Sequence, residues 1–169
     1  MTGFRPCLIV PVFNPGPALN RTLRALLLHR LPVFVQDDGS DGTTRAALEA
    51  LAAAEPLLRL GRWEVNQGKG AAVVEALRRA RAEGFTHGLQ VDSDGQHDPE
   101  AVGPFLVLGE AHPEAVIAGV PRYEGPVPPA RRYGRWFTHA WVWLETLSFV
   151  IGDSLCGFRL YPLEAAVAL

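Results

Sequence analysis

The chain has 169 residues, 48% hydrophobic and 20% charged, a length that suits one domain with a real core. Sixteen Lys and Arg against 18 Asp and Glu give a formal net charge of −2, so no global basic field argues for nucleic acid as a partner. Two cysteines, Cys7 and Cys156, are too few for a disulfide framework or a zinc site, and a reducing, cytoplasmic compartment is the expectation. No small-residue cleavage site follows the first apolar run, and no stretch reaches about 18 uninterrupted apolar residues. Neither a signal peptide nor a membrane span is therefore expected.

Cys7 to Val12 is a short β-rich run that meets Pro11, Asn14, Pro15 and Gly16, the pattern of a buried strand entering a loop. Leu19, Leu23, Leu26 and Leu27 fall at helical spacing over residues 18–29, with Pro17 suited to a first turn. A second strand, Val33-Phe34-Val35, runs into Asp37-Asp38-Gly39-Ser40-Asp41-Gly42-Thr43, where Thr43 or Thr44 can cap an Ala-rich helix reaching Ala54. A third strand is predicted over residues 63–65, followed by Asn66-Gln67-Gly68-Lys69-Gly70 and a helix over 71–83. The strand predicted over 88–91 delivers Asp92-Ser93-Asp94-Gly95-Gln96-His97. A helix is predicted from Asp98-Pro99-Glu100 through about Glu110, and a strand over 115–120.

Strand and helix thus alternate with short loops, which predicts an α/β fold with a largely parallel sheet and helices on both faces. Every polar motif falls at the carboxyl end of a predicted strand, where such sheets bind ligands. The chain continues through residues 122–135, rich in Pro, Gly and Arg as a loop would be. Residues 136–152 carry Trp136, Trp141 and Trp143 and read either as an interfacial helix on a membrane or as a core or dimer helix.

Asp92, Asp94 and Gln96 stand at every second position after a strand, so an extended backbone points all three oxygen-bearing side chains to one side. Two carboxylates and an amide are hard-oxygen ligands suited to Mg²⁺ or Mn²⁺, ions that keep open positions for substrate phosphates. The alternative is a polar turn. Asp37 and Asp38 can accept hydrogen bonds from a nucleobase or ribose, or belong to a turn with a helix cap. Asn66 to Gly70 offers backbone amides and the Lys69 ammonium at a helix N-terminus, a fit for anionic phosphates or an ordinary helix start. His97 is a metal ligand, a phosphate donor or a structural histidine. Asp153 to Tyr161 closes the series with an acid and Arg159, which face a substrate or pair with one another. Neither a Walker A loop nor Gly-x-Gly-x-x-Gly is present.

In order, Pro11-Val12-Phe13-Asn14, the Asp37–Thr43 run, Asn66–Gly70, Asp92–His97 and Asp153–Arg159 resemble the motifs of family 2 glycosyltransferases. The likeness is greatest to the branch containing dolichol- and polyprenyl-phosphate sugar transferases, and it covers nearly the whole chain. The resemblance implies a GT-A fold, a nucleotide-diphospho-sugar donor such as a UDP- or GDP-sugar, and inverting transfer. It also implies that Pro11, Val12, Asn14, Asp37, Asp38, Lys69, Asp92 and Ser93 hold the nucleotide. Asp92, Asp94 and Gln96 would carry the metal, and Arg122, Arg132, Arg135 and Arg159 would meet a lipid-phosphate or saccharide acceptor. Asp153 is the candidate general base, needed for a hydroxyl acceptor and not for a phosphate. Pro121 before Arg122 and the short Pro-rich loop depart from the family's pattern.

These readings give one GT-A domain over 1–169, expected to be incomplete at its C-terminal end. Residues 1–100 form its donor and metal half, and 101–169 its acceptor half. A cytoplasmic protein, peripheral on the membrane, is the expectation. The rivals are a sugar-phosphate nucleotidyltransferase and a truncated domain that binds nucleotide-sugar without turnover.

Overall fold

The computed structural model describes residues 3–120 and 156–168. Asp153, Arg122, Arg132, Arg135 and the Trp-rich run fall outside the described residues. The chain divides into two compact units, Met1–Ile117 with Phe158–Leu169, and Ala118–Gly157. Everything below concerns the first, apart from one residue of its edge strand.

The elements follow one another as β1 (Pro6–Val12), α1 (Ala18–Leu27), β2 (Val33–Asp38), α2 (Gly42–Ala54), β3 (Leu58–Trp63), α3 (Lys69–Ala82) and β4 (His87–Gln90). A 3₁₀ turn (Pro99–Ala101) then leads into α4 (Val102–Ala111), followed by β5 (Ile117–Ala118), β6 (Arg159–Pro162) and α5 (Leu163–Ala168). The sheet order is β3-β2-β1-β4-β6-β5. β1 lies parallel to β2 and β4, and β2 parallel to β3, while β6 runs antiparallel to β4 with Gln90 opposite Arg159. This is an α/β fold with a mostly parallel, mixed sheet flanked by helices.

β1 and β2 are central and covered on both faces, which is why they read as continuous apolar runs rather than alternating ones. Cys7 to Val10 and Val33 to Val35 are fully buried. Cys7, Ile9 and Phe34 pack with Val73, Ala76, Leu77 and Ala80 of α3 and with Leu163. Leu8 and Val10 alternate to the opposite face. Gly88 is a close-approach position: a Cβ there would stand 2.9 Å from the Leu77 side chain and 3.0 Å from Ile9. Burial pushes the Cys7 thiol well above its ordinary pKa, with the Glu83 charge adding to the effect, so this cysteine is an inert core residue.

Four local expectations are corrected. β3 lies at Leu58–Trp63, not at 63–65, because pairing with β2 from Val33↔Leu58 to Asp38↔Trp63 sets its register. The cap of α2 is Asp41, whose carboxylate accepts from the Thr44 N–H at 2.8 Å, and not Thr43 or Thr44. α3 starts two residues early, at Lys69. The strand expected over 115–120 shrinks to two residues. Among the described residues, no helix is long and apolar enough to cross a membrane.

Candidate nucleotide-sugar site

The carboxyl ends of β1, β2 and β4 and the start of α3 enclose a cavity of about 380 Å³. Pro11, Val12 and Phe13 line it from the end of β1, and Asp38 from the end of β2. Gly68 and Lys69 contribute the start of α3, and Asp92, Ser93 and Asp94 follow β4. Seven of the residues singled out in the sequence, Pro11, Val12, Asp38, Lys69, Asp92, Ser93 and Asp94, thus line one cavity.

The two acids at the end of β2 are both about 1% exposed, and both are partnered. Asp37 pairs with Arg62 across the β2–β3 contact and accepts from the Ser40 N–H at 3.0 Å. Arg62 also donates to the Ser40 carbonyl at 3.0 Å, fixing the β2–α2 turn. Asp38 accepts from the N–H groups of Gln67 and Gly68 at 2.6 and 2.9 Å, so it grips the loop that enters α3. A charged acceptor taking two backbone donors is among the stronger hydrogen-bond arrangements, and it offsets the burial of the charge.

Gly68 caps α3 at φ +95° and makes no side-chain capping bond. The Ala72 N–H closes the first turn onto the Gly68 carbonyl. The amides ahead of it have no partner within the helix, and the positive end of the α3 dipole faces the cavity together with the Lys69 ammonium.

Lys69 Nζ donates to Asp92 Oδ2 at 2.7 Å, and His97 Nε2 lies 3.4 Å from the same oxygen. Gln90 Nε2 reaches Asp92 Oδ1 at 3.4 Å, and the Tyr161 hydroxyl donates to Gln90 Oε1 at 3.3 Å. His97 is held in place by the Phe158 ring, 5.3 Å between centroids, and Phe158 packs edge-on against Phe105. Burial alone raises the Asp92 pKa, but hydrogen bonds from His97 and Lys69, and their charges, outweigh it and lower the pKa well below the usual carboxylate range.

The alternation expected for Asp92, Asp94 and Gln96 does not survive. The chain turns at residues 93–95, with Gly95 at φ +76°, so the three side chains do not share a face. Asp92 and Asp94 still line the cavity, whereas Gln96 is exposed and outside its lining; its N–H donates to Asp94 Oδ1 at 3.0 Å. Asn14 also lies outside the lining. It ties two loops together, its N–H donating to Ser40 Oγ at 3.1 Å and its Oδ1 accepting from the Asp41 N–H at 2.9 Å. Arg159 stands in β6 opposite Gln90, away from the cavity wall. Phe13, 52% exposed, and Asn66 line the cavity and went unassigned in the sequence, although both sit inside motifs that had been singled out. Arg62 carried no local signal, since its partner is 25 residues away.

Among the described residues, no cluster of three or more His, Cys, Asp and Glu side chains is gathered for a metal ion. The carboxylates lining the cavity are Asp92, Asp94 and Asp38, the last already engaged by the Gln67 and Gly68 amides.

Residues 7–165 match the family described as Glycosyl transferase family 2. An uncharacterized protein of Methanocaldococcus jannaschii, MJ0544, is 27% identical over 163 residues, covering 92% of this chain and 71% of that protein. Among solved structures, Staphylococcus aureus TarS 1–349 superposes with a TM-score of 0.61 at 19% identity, and its complex with UDP with 0.62 at 21%. Each superposition covers 94% of this chain and 47% of TarS 1–349, so the chain spans about half the length of the solved structures it matches. These likenesses identify the sheet and its helices as the GT-A fold, and with nearly the whole chain matched, the protein belongs to glycosyl transferase family 2.

Proposed function

We propose that the chain transfers a glycosyl group from a nucleoside-diphospho-sugar to an acceptor by a single displacement with inversion. The observation that carries this reading is that one cavity holds charge of both signs: Asp92 and Asp94 form an acidic side, and Lys69, which bonds to Asp92, forms a basic side with the N-terminus of α3. A ligand that is anionic at its diphosphate is complementary to the second side directly, and to the first through a divalent cation. UDP is the first nucleotide to test, because the TarS structure of the same fold is a complex with UDP.

The donor set fits Mg²⁺ or Mn²⁺. Asp92 and Asp94 bring two carboxylates to the cavity with no closed cage among the described residues, which is how Mg²⁺ is held when substrate phosphates complete its coordination. Asp92 and Asp94 would hold the ion. When bound, it supplies Lewis-acid neutralisation of the leaving diphosphate.

In the reaction, the acceptor oxygen forms a bond to the anomeric carbon from the face opposite the diphosphate. The bond from that carbon to the phosphate oxygen breaks, and its electron pair leaves with the nucleoside diphosphate. Lys69 and the first amides of α3 stabilise the charge that develops there. Pro11, Val12 and Asp38 orient the nucleoside; each Asp38 oxygen keeps a lone pair beyond the one its loop amide uses. The acceptor is proposed to be a polyprenyl phosphate or another lipid-linked group, as in the branch that the sequence resembles. That reading rests on the basic 122–135 segment and the Trp-rich run after it, which also support a peripheral position on the cytoplasmic face of a membrane.

The test is thermal denaturation of the full chain with UDP, GDP, CDP or TDP, each with Mn²⁺, Mg²⁺ or EDTA. One diphosphate raising Tm, with the rise abolished by EDTA, supports the donor site and names the base. A folded sample that responds to none of them refutes the reading.

A further inference from the structure

The contact between Lys69 and Asp92 is unequal. The Lys69 side chain is 57% exposed and the Asp92 side chain 19%, with their charged atoms 2.7 Å apart. An exposed ammonium leaves an ion pair at small cost because water re-solvates it, whereas a largely buried carboxylate stripped of its cation is left strongly destabilised. The remaining polar neighbours of Asp92, His97 Nε2 and Gln90 Nε2, stand at 3.4 Å and do not replace a full charge at 2.7 Å. Lys69 is also the first residue of α3, whose first amides, following the two that Asp38 holds, have no carbonyl partner within the helix.

Resting on the donor and metal reading above, we infer that Lys69 is an exchangeable counterion. In the free protein its ammonium neutralises Asp92. When a nucleoside diphosphate binds, Lys69 transfers to the phosphates and a divalent cation takes its place on Asp92. Either ligand alone meets resistance: a cation must displace Lys69, and a diphosphate that draws Lys69 away must leave Asp92 with only the longer 3.4 Å contacts to His97 and Gln90. The two ligands together meet none, so their binding is coupled through the position of one side chain, and the coupling is reciprocal. This arrangement also holds the Asp92 carboxylate in one orientation before either ligand arrives.

The test reads Mn²⁺ binding in the absence of nucleotide, by the electron paramagnetic resonance signal of free Mn²⁺, on the wild type, Lys69→Met and Lys69→Arg. Lys69→Met keeps the length of the side chain and removes its charge, so it should bind Mn²⁺ alone about fivefold or more tightly than the wild type. Lys69→Arg, which keeps the competing charge, should stay near the wild type. Circular dichroism on each variant checks the fold, which an exposed residue should not disturb. Mn²⁺ binding by Lys69→Met that is no tighter than the wild type's, in a protein that does bind Mn²⁺ with UDP or another diphosphate present, overturns the exchange and leaves the donor site standing. Absence of Mn²⁺ binding in all three proteins, with and without diphosphate, overturns both.

Discussion

Asp38 and Gly68, 30 residues apart in sequence, are joined by a 2.9 Å hydrogen bond from the Gly68 N–H to the Asp38 carboxylate. The neighbouring Gln67 N–H reaches the other oxygen at 2.6 Å. Together the two bonds fix where α3 begins, and hence where Lys69 stands relative to Asp92. A carboxylate expected to face a ligand is thus also the clamp that shapes the opposite wall of the cavity. Asp38→Ala leaves two backbone donors without their charged acceptor, each worth about 1.5–3 kcal/mol. A loss of about 3 kcal/mol or more should lower Tm by about 6–12 °C in a chain of this size, read by scanning calorimetry. Asp38→Asn, which keeps one acceptor oxygen, should lose less. An Asp38→Ala protein that melts with the wild type would show that the clamp is unimportant.

Gly39 and Gly68 both adopt positive φ, +76° and +95°, but for different surroundings. A Cβ on Gly39 would stand 2.8 Å from the Asn66 nitrogen and 2.9 Å from the Val65 carbonyl carbon, backbone atoms that cannot swing aside. A Cβ on Gly68 would meet nothing within 4 Å. Gly68→Ala should therefore cost only the conformational penalty of a region nearly confined to glycine, φ +95° with ψ 148°, about 1–3 kcal/mol. Gly39→Ala should cost more and shift residues 65–66 at the cavity rim. Urea denaturation ranks the two, and a Gly39→Ala midpoint at or above that of Gly68→Ala would contradict the packing argument.

The parts of this fold that could be read in the sequence are those specified locally. Cys7 to Val12 and Val33 to Val35 are apolar because both faces of a central parallel strand are covered, and the acids follow because strand ends emerge at the ligand side. β3 was misplaced because Leu58-Arg59-Leu60-Gly61-Arg62-Trp63 is an outer strand with one buried residue, and its pairing with β2 supplies what its composition does not. The period-two argument for Asp92, Asp94 and Gln96 assumed an extended chain, and Gly95 at positive φ ends that extension. Asp92 and Asp94 line the cavity all the same, brought there by the turn rather than by alternation along a strand. Contacts such as Arg62 with Asp37, or His97 with Asp92 through its seat on Phe158, depend on the tertiary fold and have no local signature.

Asp92→Asn is the direct test of the acid at the centre of the site. The substitution preserves shape but removes the charge that Lys69 and His97 compensate, and the liberated Lys69 is exposed enough to remain solvated. We expect an unchanged circular dichroism spectrum and a Tm within a few degrees of the wild type, about what one altered polar contact allows. Transfer from the donor that the thermal screen identifies should fall by about 10²-fold or more, the scale seen when a preorganised electrostatic group is lost. Full activity in Asp92→Asn would remove Asp92 from the mechanism.

Asp41 provides a pH test that is independent of catalysis. Its carboxylate caps α2, and the hydrogen bond from the Thr44 N–H is the main cause that lowers its pKa below the ordinary carboxylate value. A group whose pKa is lowered by folding binds fewer protons in the native state than in the unfolded one. Its stabilisation is therefore fully present above the unfolded value of about 3.9 and is lost as pH falls through the native value. In Asp41→Asn, the amide oxygen can accept from the same N–H at every pH. The Tm of the wild type should accordingly fall more steeply than that of Asp41→Asn as pH drops below about 4, because other carboxylates contribute equally to both curves and cancel in the difference. Two parallel curves would mean that the cap contributes no pH-dependent stability, and that the start of α2 is held instead by the bond from the Asp41 N–H to Asn14.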